Sequence, residues 1–400
     1  MSSRREFIKT VAGAAGALAV GSTLEKLPAA QAPAAAPASR VGKIMVGGKR
    51  VRVIDVHCHW NIAGTPALNA NTARAARRGG GAAAGAAADG VPAGRGDGPA
   101  AAGDGGGRGG RGGGRGAGGG DPLAARLAEM DKRGIDIQMV SINGFGWYAT
   151  QDRDLATKYV AVQDEGLSAF CKSNSRFVAV TSPALQFPDL AAQQLEHAVK
   201  DLGLKGASIG GHVNGESLSD PKYDPFWAKC QELGILVFMH PGGADNVVKE
   251  NVFQGLRGDL GNIIGNPLES TIFASRLIYD GTLDKFPGLK ICMAHAGGYL
   301  PSYLGRADVA CDVRPNANCA NKKHPREYLH DQLMIDTMVL SDEGLRHLVA
   351  EMGPGQIMYG TDIPFVWPDG VDEILRAKYL NNAQKEAMLG GTLARLLKMS

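Results

Sequence analysis

The sequence predicts a single (β/α)8 barrel of the TIM type, interrupted after its first strand by a glycine-rich insertion that we expect to be disordered. Short apolar segments alternate with helical patterns along most of the 400 residues. Eight such segments can be counted, which is the number that closes a parallel barrel. An open doubly wound sheet is the alternative, but no Gly-X-Gly-X-X-Gly follows the first segment.

The first 32 residues resemble a twin-arginine export signal rather than part of the fold. Arg4 and Arg5 stand in the context Arg-Arg-Glu-Phe-Ile-Lys, before a Gly/Ala-rich apolar run and a small-X-small cleavage site at 30–32. The run is short and weakly hydrophobic for a stable membrane span. We therefore expect a protein exported to the periplasm or beyond, with a linker at 33–45 and a barrel domain at 46–400.

Composition excludes some classes of function. A formal net charge of +3 is too small to suggest nucleic-acid binding. Residues 79–120 are about half glycine, and such a segment buries too little apolar surface to offset the entropy of ordering it. The functional alternative is that this Arg/Gly-rich segment makes a nucleic-acid or surface contact.

The six cysteines show no disulfide framework and no Cys-X-X-Cys motif. Cys311 and Cys319 flank a loop-like segment and could pair. The other four lie in apolar patterns and are expected to be buried free thiols: Cys58, Cys171, Cys230 and Cys292.

The strands and helices follow in regular order. A helix is expected to begin at Asp121-Pro122, with Leu123, Leu127 and Met130 on its buried face. Further helices are expected at Asp189–Leu202 and Pro221–Leu233. The eight strands are expected at Val51–Trp60, Ile135–Ile142, Phe177–Ser182, Gly206–Gly210, Ile235–Met239, Leu289–Ala294, Leu333–Asp336 and Gln356–Tyr359.

The first strand ends in two histidines, His57 and His59. Residues i and i+2 of a strand point to the same face, so these imidazoles project together and can form half of a metal site. Ordinary core or surface histidines would be the alternative. Matching polar residues follow later strands, however, and the C-terminal strand ends of a barrel carry its active site. These residues are His212 and Asn214 after strand four, His240 after strand five, His295 after strand six and Asp362 after strand eight.

Imidazole and carboxylate ligands suit a divalent ion, most often zinc, with manganese as the second possibility. We assign His57, His59, His240 and Asp362 as ligands of one ion, with Asp362 a longer contact that also serves catalysis. His295 is then the candidate acid/base. His295 as a further ligand and Asp362 as an N-cap remain open.

His212 and Asn214 are assigned to substrate binding, although His212 could also be a ligand or support one. The remaining histidines fall on helical or loop patterns and are expected to be solvated: His197, His324, His330 and His347.

These motifs resemble the amidohydrolase superfamily. Asp-Val-His-Cys-His on strand one is similar to its opening motif, and Val-Phe-Met-His-Pro, Met-Ala-His-Ala-Gly-Gly and Tyr-Gly-Thr-Asp-Ile-Pro-Phe are similar to its decarboxylase branch. Gly265–Thr271 and Phe286–Lys290 belong to the same pattern. The resemblance, which is strongest to the aminocarboxymuconate-semialdehyde decarboxylases, covers strand one and the chain from Asp121 onward.

The resemblance implies the same ligand set, usually for zinc, with His295 as catalytic acid/base. It also implies that Arg314 binds a substrate carboxylate, for which a guanidinium is well suited, although a plain surface arginine is the alternative. A homodimer is implied as well. Binuclear members of the superfamily have a carboxylated lysine at the end of strand four. Here Lys205 lies at the start of that strand, so the resemblance implies one metal ion. A second carboxylate-binding arginine, which the family has after strand one, cannot be placed here.

We therefore expect a metal-dependent decarboxylase that acts on a small unsaturated or aromatic carboxylic acid. A metal-dependent hydrolase of a lactone, ester or amide is the alternative within the same superfamily. An exported binding or scaffold protein is the third hypothesis, and it predicts a damaged metal shell.

Overall fold

A computed structural model describes residues 39–62, 121–142, 146–242 and 259–399. Residues Ser39–Ser400 form one compact unit. The expected export signal, the first part of the linker and the glycine-rich insertion lie outside the described residues.

The strands of the described residues are β1 (Met45–Val46), β2 (Lys49–Arg50), β3 (Ile54–His59), β4 (Ile137–Ser141), β5 (Phe177–Ala179), β6 (Gly206–Ile209), β7 (His212–Val213), β8 (Glu216–Ser217), β9 (Leu236–Met239), β10 (Lys290–Met293), β11 (Leu333–Asp336) and β12 (Ile357–Met358). Eight of these strands are parallel and form the framework, in two sheets whose strand order follows the chain. The first sheet is β3-β4-β5 and the second is β6-β9-β10-β11-β12. Two short antiparallel hairpins, β1-β2 and β7-β8, are separate from them.

Parallel contacts also join the edges of the two sheets. Thr181, just after β5, pairs with Ala207 of β6, and Cys58 of β3 pairs with Ile363, which follows β12. The amide of Val56 donates to the carbonyl of Tyr359 at 2.9 Å. All eight strands therefore present their carboxyl ends at one edge, where the side chains that follow them meet.

Helices follow the strands in alternation, as parallel pairing requires. They are α1 (Pro122–Arg133), α2 (Arg153–Ser173), α3 (Pro188–Lys200), α4 (Asp224–Leu233), α5 (Asn266–Tyr279), α6 (Thr282–Lys285), α7 (Leu304–Val313), α8 (Pro325–Leu329), α9 (Asp342–Met352), α10 (Val371–Arg376), α11 (Asn382–Glu386) and α12 (Thr392–Leu396). Short 3-10 turns cover Gly146–Ala149, Pro221–Tyr223, His295–Gly297, Pro301–Tyr303, Pro315–Ala317 and Pro354–Gln356, and π-helical turns cover Gly261–Gly265 and Ala387–Gly391.

Local sequence explains where several helices begin. Asp121 caps α1 with Pro122 in its first turn, as expected, and Ser341 caps α9 through its hydroxyl. Gly134 ends α1 in a left-handed conformation that costs glycine little.

The core has two parts. Side chains such as Ile54, Met139, Phe238 and Met358 pack with one another in one cluster, and a larger cluster fills the space between strands and helices. Alternation along the strands separates the two, because successive side chains point to opposite faces.

Several expectations need correction in detail. The strands are shorter than expected at most ends, and the expected helix at Pro221–Leu233 begins with a 3-10 turn before α4. Leu123 and Leu127 are only partly buried, while Arg126 is buried on the same helix face. His347 and Cys171 are half-buried. The other three expected free thiols are buried, and Cys311 and Cys319 are joined by a disulfide.

The segment expected to be linker packs against the body from Ser39 onward. The guanidinium of Arg40 pairs with Asp372 at 2.6 Å, and Ile44 is buried. Within the described part of the chain, no helix combines the length and apolarity that a bilayer crossing requires.

Candidate active site

Four side chains converge where β3, β9 and β12 end. His57 and His59 lie on β3, all of whose residues are buried. His240 directly follows β9, and its amide donates to the carbonyl of Ile209 at 2.9 Å. Asp362 follows β12, and its amide donates to the carbonyl of His57 at 2.7 Å. The strand pairing therefore places these ligands side by side, although they are far apart in sequence.

The candidate ligand atoms of these four residues all lie within 4.8 Å of one another. Asp362 Oδ1 is 3.1 Å from Nε2 of His57 and 3.3 Å from Nε2 of His59. The rings of His59 and His240 lie edge to face, with centroids 4.7 Å apart. We call these four residues the ligand cluster.

The ligand cluster has the chemistry that a divalent ion requires. Nε2 of His57, Nε2 of His59, both ring nitrogens of His240 and Oδ1 of Asp362 are buried, and none has a hydrogen-bond partner among the described residues. Buried polar atoms are rarely left without a partner. Three imidazoles and one carboxylate whose partnerless atoms face one another fit a metal site.

Electrostatics keep two of the imidazoles neutral, the form that binds metals. Burial lowers the pKa of His59 to about 4. Burial, with the nearby imidazoles, lowers the pKa of His240 well below its ordinary value. For His57, burial opposes the charged form, but Asp362 and Asp336 outweigh it and raise the pKa to about 10. Burial also opposes the charge of Asp362, but the histidines lower its pKa.

Asp336, the last residue of β11, supports the ligand cluster. Its fully buried carboxylate accepts from His57 Nδ1 at 2.6 Å, which directs Nε2 of that ring toward the cluster. It also accepts from the amides of His295 and Ala296, at 3.1 and 2.7 Å. Burial opposes its charge, but the bond from His57 lowers its pKa. Carboxylates in this position orient metal-binding histidines.

His59 is supported from two sides. Its Nδ1 lies 3.1 Å from the hydroxyl of Ser141 on β4. The buried guanidinium of Arg126 donates to the carbonyl of His59 at 2.8 Å and to Oε1 of Gln138 at 3.1 Å. Arg126 also lies over the ring of Trp60. These contacts fix both the ring and the backbone of His59.

His295 lies beside the ligand cluster. Its Nε2 is 3.6 Å from Oδ2 of Asp362, and 15% of its side chain is exposed. Its ring centroid is 5.1 Å from that of His57 and 5.2 Å from that of His240. His295 therefore faces the ligand cluster and is partly accessible to solvent.

The backbone at this point is strained. His295, Ala296 and Asp362 have φ values of 54°, 57° and 57°. Such left-handed conformations cost residues other than glycine about 1–3 kcal/mol each, and they concentrate at functional sites. Asp336 offsets part of this cost, because it binds the amides of His295 and Ala296.

The remaining sequence-predicted residues lie on loops. His212 is half-buried on the β7-β8 hairpin, where its Nδ1 accepts from the amide of Gly215 at 2.9 Å. Asn214, at the exposed tip, donates to the carbonyl of Tyr148 at 2.6 Å. Arg314 is exposed on the turn after α7, and within the described residues no hydrogen bond or ion pair joins it to the ligand cluster. The structure brings together the four ligands and His295.

Sequence reasoning missed several supporting residues: Asp336, Ser141, Arg126 and Trp367. Asp336 carried the signal used for the ligands, because it ends an expected strand. Ser141 carried a weaker form of the same signal, because it lies near the end of the expected strand two. The position of Arg126 on an amphipathic helix gave no indication of its contacts with the site. No sequence pattern connects Trp367 to the site.

Comparisons with known proteins identify the family of the chain. The amidohydrolase family model matches residues 54–399. The 2-amino-3-carboxymuconate-6-semialdehyde decarboxylase of Dictyostelium discoideum is 32% identical over 278 residues, which span 68% of this chain and 75% of the relative. The chain therefore belongs to the amidohydrolase superfamily, in its decarboxylase branch.

Solved structures are similar as well, and two of them illustrate the likeness. The 5-carboxyvanillate decarboxylase of Sphingomonas paucimobilis superposes with a TM-score of 0.69 at 23% identity, over 88% of this chain and all of that chain. A dihydroxybenzoic acid decarboxylase from Polaromonas sp. JS666, with bound manganese and the inhibitor 2-nitroresorcinol, has a TM-score of 0.64 at 25% identity. The match covers 70% of this chain and 86% of the Polaromonas chain. The expected carboxy-lyase of this superfamily is confirmed by the relatives, and a divalent metal is supported without a preference for zinc.

Proposed function

We propose that the protein removes a carboxylate, as carbon dioxide, from a small aromatic or unsaturated carboxylic acid. The observation that carries the proposal is His295, which stands beside the ligand cluster and is open to the site. The relatives named above act on carboxylated aromatic or unsaturated compounds.

The framework for this activity is a closed (β/α)8 barrel. The contacts of Thr181 with Ala207 and of Cys58 with Ile363 support closure, because they join both edges of the two sheets. In such a barrel the strand ends form one pocket lined by the following loops.

His57, His59, His240 and Asp362 would hold one divalent ion. When bound, the ion acts as a Lewis acid toward substrate oxygens. We propose zinc, which suits three imidazoles and one carboxylate; manganese, present in the Polaromonas relative, is the second candidate. Metal analysis of the purified protein, and reloading of metal-free protein with each ion, decides between them.

The chain's own residues then supply binding and proton transfer. Arg314 holds a substrate carboxylate, and His212 and Asn214 contact the substrate from the hairpin. Protonated His295 delivers its proton to the carbon that carries the departing carboxylate, so the electrons of the breaking C–C bond do not build up a free carbanion. Asp362 Oδ2, 3.6 Å from His295 Nε2, orients the ring. Carbon dioxide leaves, and His295 is reprotonated from solvent.

The test is carbon dioxide release from dihydroxybenzoates, 5-carboxyvanillate and 2-amino-3-carboxymuconate-6-semialdehyde. His295→Ala is expected to abolish release. His197→Ala, which changes an exposed histidine on α3, is the matched control and should retain the wild-type rate. Absence of release from every acid by fully metal-loaded wild-type protein would contradict the proposal.

We also propose twin-arginine export of the folded, metal-loaded protein to the periplasm or beyond. The disulfide between Cys311 and Cys319 supports this, because disulfides persist mainly in oxidising compartments. Replacing Arg4 and Arg5 with lysine should retain the protein in the cytoplasm, and cell fractionation checks this.

A homodimer is our proposal for the assembly. Tyr303, Val309 and Val313 expose 65%, 50% and 68% of their surface near and on α7, and clustered exposed apolar side chains often mark an interface. Light scattering during size-exclusion chromatography should give twice the chain mass, and a monomer mass would contradict the proposal.

A further inference from the structure

The segment after β12 folds back on the site. The amide of Phe365 donates to the carbonyl of Asp362 at 2.9 Å, and the amide of Trp367 donates to the carbonyl of Phe365 at 3.1 Å. These turns bring the indole over the carboxylate five residues earlier. Trp367 Nε1 donates to Asp362 Oδ2 at 3.0 Å.

The two oxygens of Asp362 have different neighbours. Oδ1 faces Nε2 of His57 and Nε2 of His59, at 3.1 and 3.3 Å. Oδ2 faces Nε2 of His295 at 3.6 Å. Rotation of the carboxylate group is soft, since a terminal sp³–sp² torsion has broad minima. Some contact must therefore hold one oxygen toward the ligand cluster and the other toward the acid/base.

Trp367 provides that contact. Within the described residues, the indole donates the one hydrogen bond that the Asp362 carboxylate accepts from outside the histidines. Charge-assisted hydrogen bonds of this kind are stronger than neutral ones. The bond acts on Oδ2 alone, so it selects one of the two orientations of the carboxylate.

The backbone of Trp367 is itself anchored. Arg133 Nη2 donates to the carbonyl of Trp367 at 3.2 Å, and its Nε donates to Oε1 of Glu129 at 2.7 Å. Arg133 and Glu129 both lie on α1. The position of the Trp367 backbone is thus tied to a helix rather than left to a loop.

Trp227 shows what an indole with a purely structural bond looks like. Its ring is fully buried, and its Nε1 donates to the carbonyl of Leu218 at 2.8 Å. A fully buried indole needs an acceptor in any case. Trp367 is only half-buried, so burial alone does not require its bond to Asp362.

We propose that Trp367 is a positioning residue that fixes which oxygen of Asp362 faces the metal ligands and which faces His295. The inference rests on the proposed function for its kinetic consequence, while its consequence for metal binding stands independently. Partners that orient metal ligands typically contribute about 10- to 100-fold in metal affinity or activity.

The test compares Trp367→Phe with Trp227→Phe, which makes the same chemical change at the structural indole. The dissociation constant for Mn²⁺ is measured by competition with a chelator, and kcat and KM are measured on the best acid. We expect Trp367→Phe to bind Mn²⁺ about tenfold more weakly, with kcat lowered about tenfold or more and KM within about twofold. Trp227→Phe should lower thermal stability but leave Mn²⁺ affinity and kcat unchanged.

A second variant, Trp367→His, keeps a ring N–H at the same number of bonds from Cβ. It should bind Mn²⁺ more tightly than Trp367→Phe does. Wild-type Mn²⁺ affinity in Trp367→Phe, or equal affinities in the Phe and His variants, would overturn the inference. Absence of carbon dioxide release by the wild type would overturn the proposed function alone, because Mn²⁺ affinity would still decide the role of Trp367.

Discussion

The site has two sides that differ in how their residues are held. On the strand side, His57 and His59 are almost completely buried, and each has its second nitrogen or its carbonyl bound by residues of other strands and helices. On the loop side, His295 is partly exposed in a left-handed turn, and Arg314 is exposed after α7. Rigid, buried ligands suit metal binding, and accessible residues suit contact with a substrate. We therefore propose that the strand side binds the metal and that the loop side carries the chemistry.

Removing the metal should give the largest effect, because it disables the strand side as a whole. Dialysis against a chelator is expected to lower turnover at least about a thousandfold, since a Lewis acid supplies several kcal/mol at the transition state. Addition of Zn²⁺ or Mn²⁺ should restore it. Elemental analysis measures the bound metal. Activity that persists without bound metal would contradict the proposed role of the strand side.

Replacing Asp336 should reduce metal affinity or turnover about 10- to 100-fold. Asp336→Ala removes the acceptor of His57 Nδ1 and of two amides in the His295 turn, so both sides lose an anchor. Asp284→Ala is the matched control, because that carboxylate accepts from the Tyr328 hydroxyl and the Lys322 amide away from the site. The control should lose stability only. Equal metal affinity together with equal turnover in the two variants would contradict the account.

Changing Arg314 should affect substrate binding but not the metal. Loss of a charge-assisted bond to a carboxylate costs about 1.5–3 kcal/mol, so Arg314→Ala should raise KM about 10- to 100-fold with bound metal unchanged. Arg306→Ala, another exposed arginine on α7, is the control. Equal KM values for the two variants would contradict a role of Arg314 in substrate binding.

A buried carboxylate away from the imidazoles should affect stability alone. Burial raises the pKa of Asp164 to about 7, against hydrogen bonds from Thr181 and Gln163 that lower it. Between about pH 4 and pH 7 the unfolded chain loses this proton while the folded chain keeps it, so this group lowers stability as pH rises. Asp164→Asn should raise the free energy of unfolding more at about pH 8 than at about pH 5, measured in urea, with turnover unchanged. A gain of equal size at both pH values would refute this.

The strand side could be predicted from the sequence because its geometry follows from strand periodicity. His57 and His59 are two residues apart on a strand, and His240 and Asp362 follow apolar strand segments, so a parallel arrangement brings all four to one edge. The strand order and the pairing of Cys311 with Cys319 were also accessible from sequence. Strand lengths were overestimated because apolar residues continue past the last paired residue.

The loop side could be predicted only in part. The left-handed turn at His295 has no glycine at that position to reveal it. The contact of Trp367 with Asp362 depends on irregular turns, and Arg126 reaches His59 from an element remote in sequence, so periodicity encodes neither contact. Asp336 was accessible in principle, since a carboxylate that ends a strand is the signal that identified Asp362.

The most direct test of the division between the two sides compares His59→Ala and His295→Ala, prepared in parallel and analysed for bound metal and carbon dioxide release. The account predicts that His59→Ala loses both the ion and the activity, while His295→Ala keeps one ion per chain and releases no carbon dioxide. Loss of the ion from His295→Ala would make that residue a ligand and contradict the division.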